Sequence, residues 1–234
     1  MQLPKVNAEV CSAIESAAEP CPLCHHQTTH NYHSDKRRSY WLCPVCHLVF
    51  AGRASLLDAA AELAIYQQHQ NDPADAGYRD FLNKLAAPLL QRLGASAQQG
   101  LDFGAGPGPT LYLLLQQGGH DVANYDPYFA PNHTLLQRQY DFLCSTEAIE
   151  HFYQPAKEWQ LWLELLKPGG WLGLMTRIRP DSVEEFGRWH YKNDPTHVSF
   201  FHATTFQWLA ARDGFSLEII APDVVLMQLR CSIA

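Results

Sequence analysis

Residues 145–151 read S-T-E-A-I-E-H, so two carboxylates and an imidazole (Glu147, Glu150 and His151) fall within five positions. Such groups ligate divalent cations and exchange protons near neutral pH. If the stretch opens a helix, positions i, i+3 and i+4 share one face and the three side chains converge. A second run, W-H-Y-K-N-D-P-T-H-V-S-F-F (189–201), supplies His190, Asp194 and His197. Without a metal, His197 or His190 is the candidate general base. Its aromatic neighbours Phe186, Trp189, Tyr191, Phe200 and Phe201 form either a substrate wall or core. A plainer reading also accounts for the acidic residues, since a helix N-terminus favours negative charge.

Four of the seven cysteines form C-P-L-C (21–24) and C-P-V-C (43–46), a C-x2-C-x18-C-x2-C spacing. Each C-x2-C turn presents two thiolates to one tetrahedral ion, and two turns close a zinc site of Cys21, Cys24, Cys43 and Cys46. Residues 40–42 read as the strand entering the second knuckle and 48–50 as the strand leaving it. A ribbon this small has too little core to fold alone, so the metal supplies much of its stability. His25 and His47 follow the knuckles where glycine is common, and histidine tolerates the left-handed region. Cys11, Cys144 and Cys231 fit neither knuckle and read as small buried hydrophobes.

A third constellation is L-D-F-G-A-G-P-G-P (101–109), with Gly104, Gly106 and Gly108 between a strand and a helix. Glycine lets the backbone turn tightly and approach a ligand closely. Asp126 ends the next strand, where ribose hydroxyls of a nucleoside-like ligand would lie.

The elements that must position these residues follow from the apolar pattern. Helices are expected at 54–69, at 78–93 (Phe81, Leu82, Leu85, Leu89 and Leu90 on one face), at 109–117, at 147–166 with a break near Pro155, and at 204–213. Strands are expected at 100–104, 120–126, 140–145, 171–176, 217–220 and 224–229. Alternation of strands and helices gives an α/β fold, a doubly wound, mostly parallel sheet, while the last two strands, joined by A-P-D, must pair antiparallel. The expected division is a zinc-ribbon-like segment at 1–53, a helical linker at 54–77 and the α/β domain at 78–234.

From residue 78 onward the chain resembles the class I S-adenosylmethionine-dependent methyltransferases. The resemblance rests on D-x-G-x-G-x-G with Asp102, on L-K-P-G-G-W-L (166–172) before a strand, and on the terminal hairpin. It implies a seven-stranded Rossmann-like sheet and a cofactor site of Asp102, Gly104, Gly106, Gly108, Asp126 and Ser145. In that site Gly104 and Gly106 face methionine and ribose, and Asp126 binds the ribose hydroxyls. Ser145 ends the strand that runs beside the transferable methyl group. E-x-x-E-H with a distant histidine is similar to ubiquinone-pathway O-methyltransferases and to 3′-terminal ribose methyltransferases of small RNAs. That likeness implies a divalent ion such as magnesium on Glu147, Glu150, His151 and His197. The ribbon ahead of this domain resembles bacterial methyltransferases with an N-terminal zinc-binding segment, some of which act on deoxysugars. Only thirteen residues separate Asp126 from Tyr140, so the usual third strand is shortened or absent, and Tyr128 or Phe129 either stacks on adenine or packs in the core.

The expected function is methyl transfer to a small-molecule acceptor, with oxygen favoured. The alternatives are RNA modification with the ribbon on RNA, and a non-catalytic cofactor-binding module that docks a partner. A net charge of −7 argues against a long nucleic-acid interface. The one basic cluster, Lys36-Arg37-Arg38, reads as a solvated loop. The N-terminus has no signal-peptide pattern and no stretch is long enough to span a membrane, which points to a cytoplasmic protein.

Overall fold

The computed structural model describes residues 19–68 and 71–231. Cys11 and His69 lie outside them. No helix among the described residues is long and apolar enough to cross a membrane.

The ribbon folds as β1 (His30–Ser34), β2 (Ser39–Leu42) and β3 (Val49–Ala51), each antiparallel to the next. Asp35 turns the first hairpin by accepting from the backbone N–H of Arg37 and Arg38 at 2.8 and 3.0 Å. Beyond β3 the sheet continues into β8 (Ser199–Phe200), a strand supplied by the far end of the chain, with Val49 opposite Phe200. The ribbon does not stand apart from the rest. Leu23, Trp41, Leu48 and Phe50 share one apolar cluster with Leu101, Leu143, Trp162 and Leu172 of the main sheet.

The expected helix at 54–69 shrinks to α1 (Ala59–Tyr66), started by the Asp58 carboxylate, which accepts from the N–H of Ala60 and Ala61. Helix α2 (Ala76–Leu93) is capped in the same way by Asp75 and buries Leu82, Leu85 and Leu89. The main sheet comprises β4 (Gln99–Phe103), β5 (Asp121–Tyr125), β6 (Tyr140–Thr146), β7 (Leu166–Met175), β9 (Phe215–Ala221) and β10 (Val224–Leu229). Their spatial order is β5-β4-β6-β7-β10-β9; the first four are parallel, and β10 runs antiparallel to both β7 and β9. Helices α3 (Leu111–Gln117), α4 (Pro155–Leu165), α5 (Val183–Arg188) and α6 (Ala203–Asp213) complete the fold. Both faces of the sheet are covered, as the period-two alternation along a strand requires. Phe142 and Cys144 pack with α2 and α3, and Leu143 between them packs with the tryptophans of α4.

Among the described residues the sheet has six strands, not seven. Residues 127–139 hold Pro127 and Pro131, which lack the N–H a ladder needs, and they fold into a turn closed by an Asp126–Ala130 bridge and a 3-10 segment at His133–Gln137. Cys144 is buried as expected, whereas Cys231 is exposed just past β10. Phe186 and Phe200 pack with Tyr40 of the ribbon and Phe201 packs in the main cluster, so these three are core rather than substrate wall.

Candidate active site

A cleft of about 1290 Å³ opens at the C-terminal ends of β4, β5 and β6. Its floor is the glycine loop. Gly104 (φ 79) and Gly106 (φ 68) both adopt left-handed backbone, and a Cβ on Gly104 would stand 2.8 Å from that of Ala148. The Gly106 N–H donates to Asp126 Oδ2 at 2.9 Å, while Asp126 Oδ1 accepts from the N–H of Tyr128 and Phe129 at 2.8 and 2.9 Å. One carboxylate thus ties the loop to the turn after β5. Tyr128 and Phe129 lie on the cleft wall.

Three expected cofactor residues are not on the cleft. Ser145 faces the interior with its Oγ unpartnered, and by strand alternation its neighbour Thr146 lines the cleft. Gly108 is required by chain packing, since a Cβ there would meet the Asn71 carbonyl oxygen at 1.8 Å. Asp102 is 1% exposed beneath the loop, with Oδ1 unpartnered. Burial pushes its carboxyl up to about 7. The folded chain therefore keeps a proton that the unfolded chain releases at about pH 4. That stabilising contribution is complete below about pH 4 and is lost as pH rises through about 7. Asp102→Asn cannot ionise and should flatten the fall in melting temperature between about pH 5 and pH 8, a gain on the order of 2–4 kcal/mol at the upper end. An unchanged fall would place the titration on another group.

The S-T-E-A-I-E-H stretch is not the start of a helix. β6 ends at Thr146, Glu147 turns left-handed (φ 46), Ile149–His151 form one 3-10 turn, and α4 begins only at Pro155. A left-handed glutamate is strained, and the Glu147 N–H bond to Met175 O at 2.8 Å helps hold it. The turn still brings the expected groups together. Donor atoms of Glu150, His151 and His197 all lie within 4.8 Å of one another, and the two imidazole rings are 4.7 Å apart. Glu147 joins through Tyr191, whose hydroxyl donates to Glu150 Oε1 and contacts Glu147 Oε2 at 3.2 Å. His190 stays outside. It is exposed and lies 3.3 Å from an Arg177 nitrogen.

Backbone carbonyls set the histidine tautomers. His151 Nδ1 lies 3.1 Å from Thr196 O, and His197 Nδ1 lies 2.7 Å from Tyr191 O. Each Nδ1 must carry the proton, which leaves the lone pair on Nε2. Burial and the His151 ring hold the His197 imidazole down to about 4, so it is neutral at neutral pH. Glu150 is 0% exposed, and its Oε2 is buried without a partner. Burial pushes its carboxyl up to about 7; burial and the Glu150 charge push Glu147 up to about 8. The imidazoles of His151 and His197 and an orphaned carboxylate oxygen on one spot form a donor set that fits a divalent cation.

Sequence reasoning missed the roof. Helix α1, read as linker, lines the cleft with Glu62 and Tyr66. Glu62 accepts from the hydroxyls of Tyr66 (2.7 Å) and Tyr128 (2.9 Å), and the Tyr66 ring meets His151 edge-on at 5.3 Å. The available signal was Glu62 alone in an apolar helix with Tyr66 one turn on.

The cysteine site has the geometry its spacing implies. Sγ atoms of Cys21 and Cys46 are 3.5 Å apart, those of Cys24 and Cys43 3.4 Å, and all four lie within 4.8 Å. A tetrahedral zinc with bonds of about 2.3 Å separates its sulfurs by slightly more, so four thiolates around zinc fit with little adjustment. His25 (φ 61) and His47 (φ 60) are left-handed, and each N–H closes its knuckle on the first cysteine's carbonyl at 3.0 Å.

A family model described as a methyltransferase domain matches residues 74–218. No curated protein matches the chain. Among solved structures, 1,6-didemethyltoxoflavin-N1-methyltransferase of Burkholderia thailandensis aligns over 87% of this chain and 99% of its own, at 16% identity and a TM-score of 0.45. Magnesium protoporphyrin IX methyltransferase of Synechocystis aligns over 73% and 93%, at 11% identity and a TM-score of 0.44. An O-methyltransferase family protein of Burkholderia thailandensis aligns over 76% and 69%, at 16% identity and a TM-score of 0.45. The family match spans more than half of the chain and takes in the glycine loop, the β4–β7 strands and the Glu147–His151 turn, so the chain belongs to the methyltransferase-domain family as a class I S-adenosylmethionine-dependent enzyme.

Proposed function

We infer that the protein transfers the methyl group of S-adenosylmethionine to a hydroxyl oxygen of a small molecule. The observation that carries this reading is the meeting of Glu150, His151 and His197 at the cleft floored by Gly104 and Gly106, where the two histidines line the wall and Glu150 is buried behind them. In this reading the glycine loop and Asp126 hold the cofactor. The sulfonium already carries an activated methyl group, so alignment is the main task. Glu150, His151 and His197 would hold a divalent cation, which would supply Lewis acidity to lower the pKa of the acceptor hydroxyl. Two imidazoles with one carboxylate favour manganese or zinc over magnesium. Glu147, on the cleft and bridged to Glu150 by the Tyr191 hydroxyl, takes the acceptor's proton once it is ionised, which burial and the Glu150 charge defer to about pH 8.

The lining weighs against RNA. Among the described residues, Glu62, Asp126, Glu147, Glu158, Glu164 and Asp194 face the cleft against the single ammonium of Lys157. A phosphate backbone would be repelled there.

The test is transfer from methyl-labelled cofactor into a cell extract split into small molecules and total RNA, with a chelator and then with manganese restored. Label is expected in the small-molecule fraction, stable to alkali as an ether is, lost on chelation and regained with manganese while ribbon zinc stays at one per chain. Label in RNA, or transfer indifferent to chelation, refutes the acceptor class or the cation respectively.

A further inference from the structure

The segment that carries Asp194 and His197 is gripped from the ribbon. Arg38 is 8% exposed, unlike Lys36 and Arg37, and is no solvated loop residue. Its guanidinium donates to the carbonyls of Lys192, Asp194 (2.9 Å), Pro195 (3.3 Å) and His197 (2.8 Å). Its Nε donates to the Tyr40 hydroxyl at 3.1 Å, which itself donates to Lys192 O at 3.2 Å. A planar five-donor fork can hold several carbonyls in one geometry; an ammonium cannot. The carbonyls of Tyr191 and Thr196 are left to the imidazoles of His197 and His151. Two more ties reinforce the grip. The Lys192 ammonium donates to Asp35 at 2.7 Å. The Ala51 N–H donates to Val198 O at 2.9 Å, while the Val198 N–H donates to Glu150 O at 2.8 Å. The ribbon sheet thus reaches the active turn through one residue. Strand β2 leads from Arg38 straight to Cys43, so the knuckles set where Arg38 stands.

We propose that Arg38 is a positioning residue for the acceptor site: it fixes the 191–197 turn so that the Tyr191 and Thr196 carbonyls aim His197 and His151. The zinc ribbon is thereby a part of the catalytic centre rather than a docking module. This rests on His197 acting at the acceptor site.

A double-mutant cycle separates the two claims. The probe is the small-molecule extract fraction that takes up label, with methyl-labelled cofactor at saturation, for Arg38→Lys, His197→Ala and the double variant. Arg38→Lys is expected to lower kcat about 10- to 100-fold, keep S-adenosylhomocysteine affinity within about twofold and keep one zinc per chain; the double variant should lose less than the product of the two single losses. A wild-type kcat for Arg38→Lys, or losses that multiply in the double variant, overturns the proposal. A wild-type rate for His197→Ala overturns the reading beneath it instead. If Arg38→Lys loses zinc or cofactor binding, Tyr40→Phe, which removes one hydroxyl from the same grip, replaces it. It is expected to slow kcat about 3- to 10-fold and, combined with His197→Ala, to lose less than the product of the two single losses; losses that multiply overturn the proposal there too.

Discussion

Cys43→Ser is expected to cost the protein its ribbon and its activity together. Structural zinc sites in small ribbons are worth on the order of 10 kcal/mol, and a serine hydroxyl does not replace a thiolate ligand. The loss will not stay local. Cys21, Cys43 and Cys46 are buried in the cluster that also holds Leu101, Leu143 and Trp162, so an open knuckle exposes the face of the main sheet. Elemental analysis should show less than one zinc per chain. The melting transition should fall by well over 10 °C or lose its cooperativity, given roughly 2–4 °C per kcal/mol for a chain of this size. Exhaustive chelation of the wild-type protein should do the same. A serine variant with full zinc and an unshifted melt would mean the four cysteines do not form the closed site their geometry describes.

Glu150→Gln should be almost as severe for chemistry while sparing the fold. The amide has the same shape, and its oxygen can still accept from the Tyr191 hydroxyl. What it lacks is the charge and the second acceptor oxygen, now orphaned at Oε2. If that oxygen serves the acceptor site, kcat should fall about 10²- to 10⁴-fold with S-adenosylhomocysteine affinity within about twofold, because the cofactor site proposed above lies on Gly104 and Gly106 instead. Single-turnover rates and calorimetry read the two halves separately. A rate within about threefold of wild type would leave Glu150 as packing beneath the cleft.

Much of the frame was legible because it is written in local pattern. Strand β6 and the β9–β10 hairpin announce themselves by apolar runs, the glycine loop by its place between strand and helix, and the knuckles by spacing. What escaped was non-local or a matter of parity. No pattern in two residues could reveal that Ser199–Phe200 pair with the ribbon. Ser145 and Thr146 differ only in which way a strand turns them. Arg38 reads as a surface cation until the carbonyls of residues 192–197 are in place around it. The convergence of Glu150, His151 and His197 was anticipated, but from helical spacing, whereas a strained Glu147 and a single 3-10 turn produce it. Pro155 delays the helix past the cluster.

The pairing of Val49 with Phe200 also sets an order of events during synthesis. The knuckles leave the ribosome early, yet the edge strand that completes their sheet is made about 150 residues later, and synthesis adds only about 5–20 residues per second. For many seconds the nascent ribbon must hold its shape on metal alone, with the β3 edge unpaired and open to other strands. A contact of such long sequence separation also forms late and slowly. With zinc as the ion of the four cysteines, its supply during translation would govern how much of this enzyme reaches its finished form: a chain that misses its ion early would present an unfinished edge when residues 199–200 arrive.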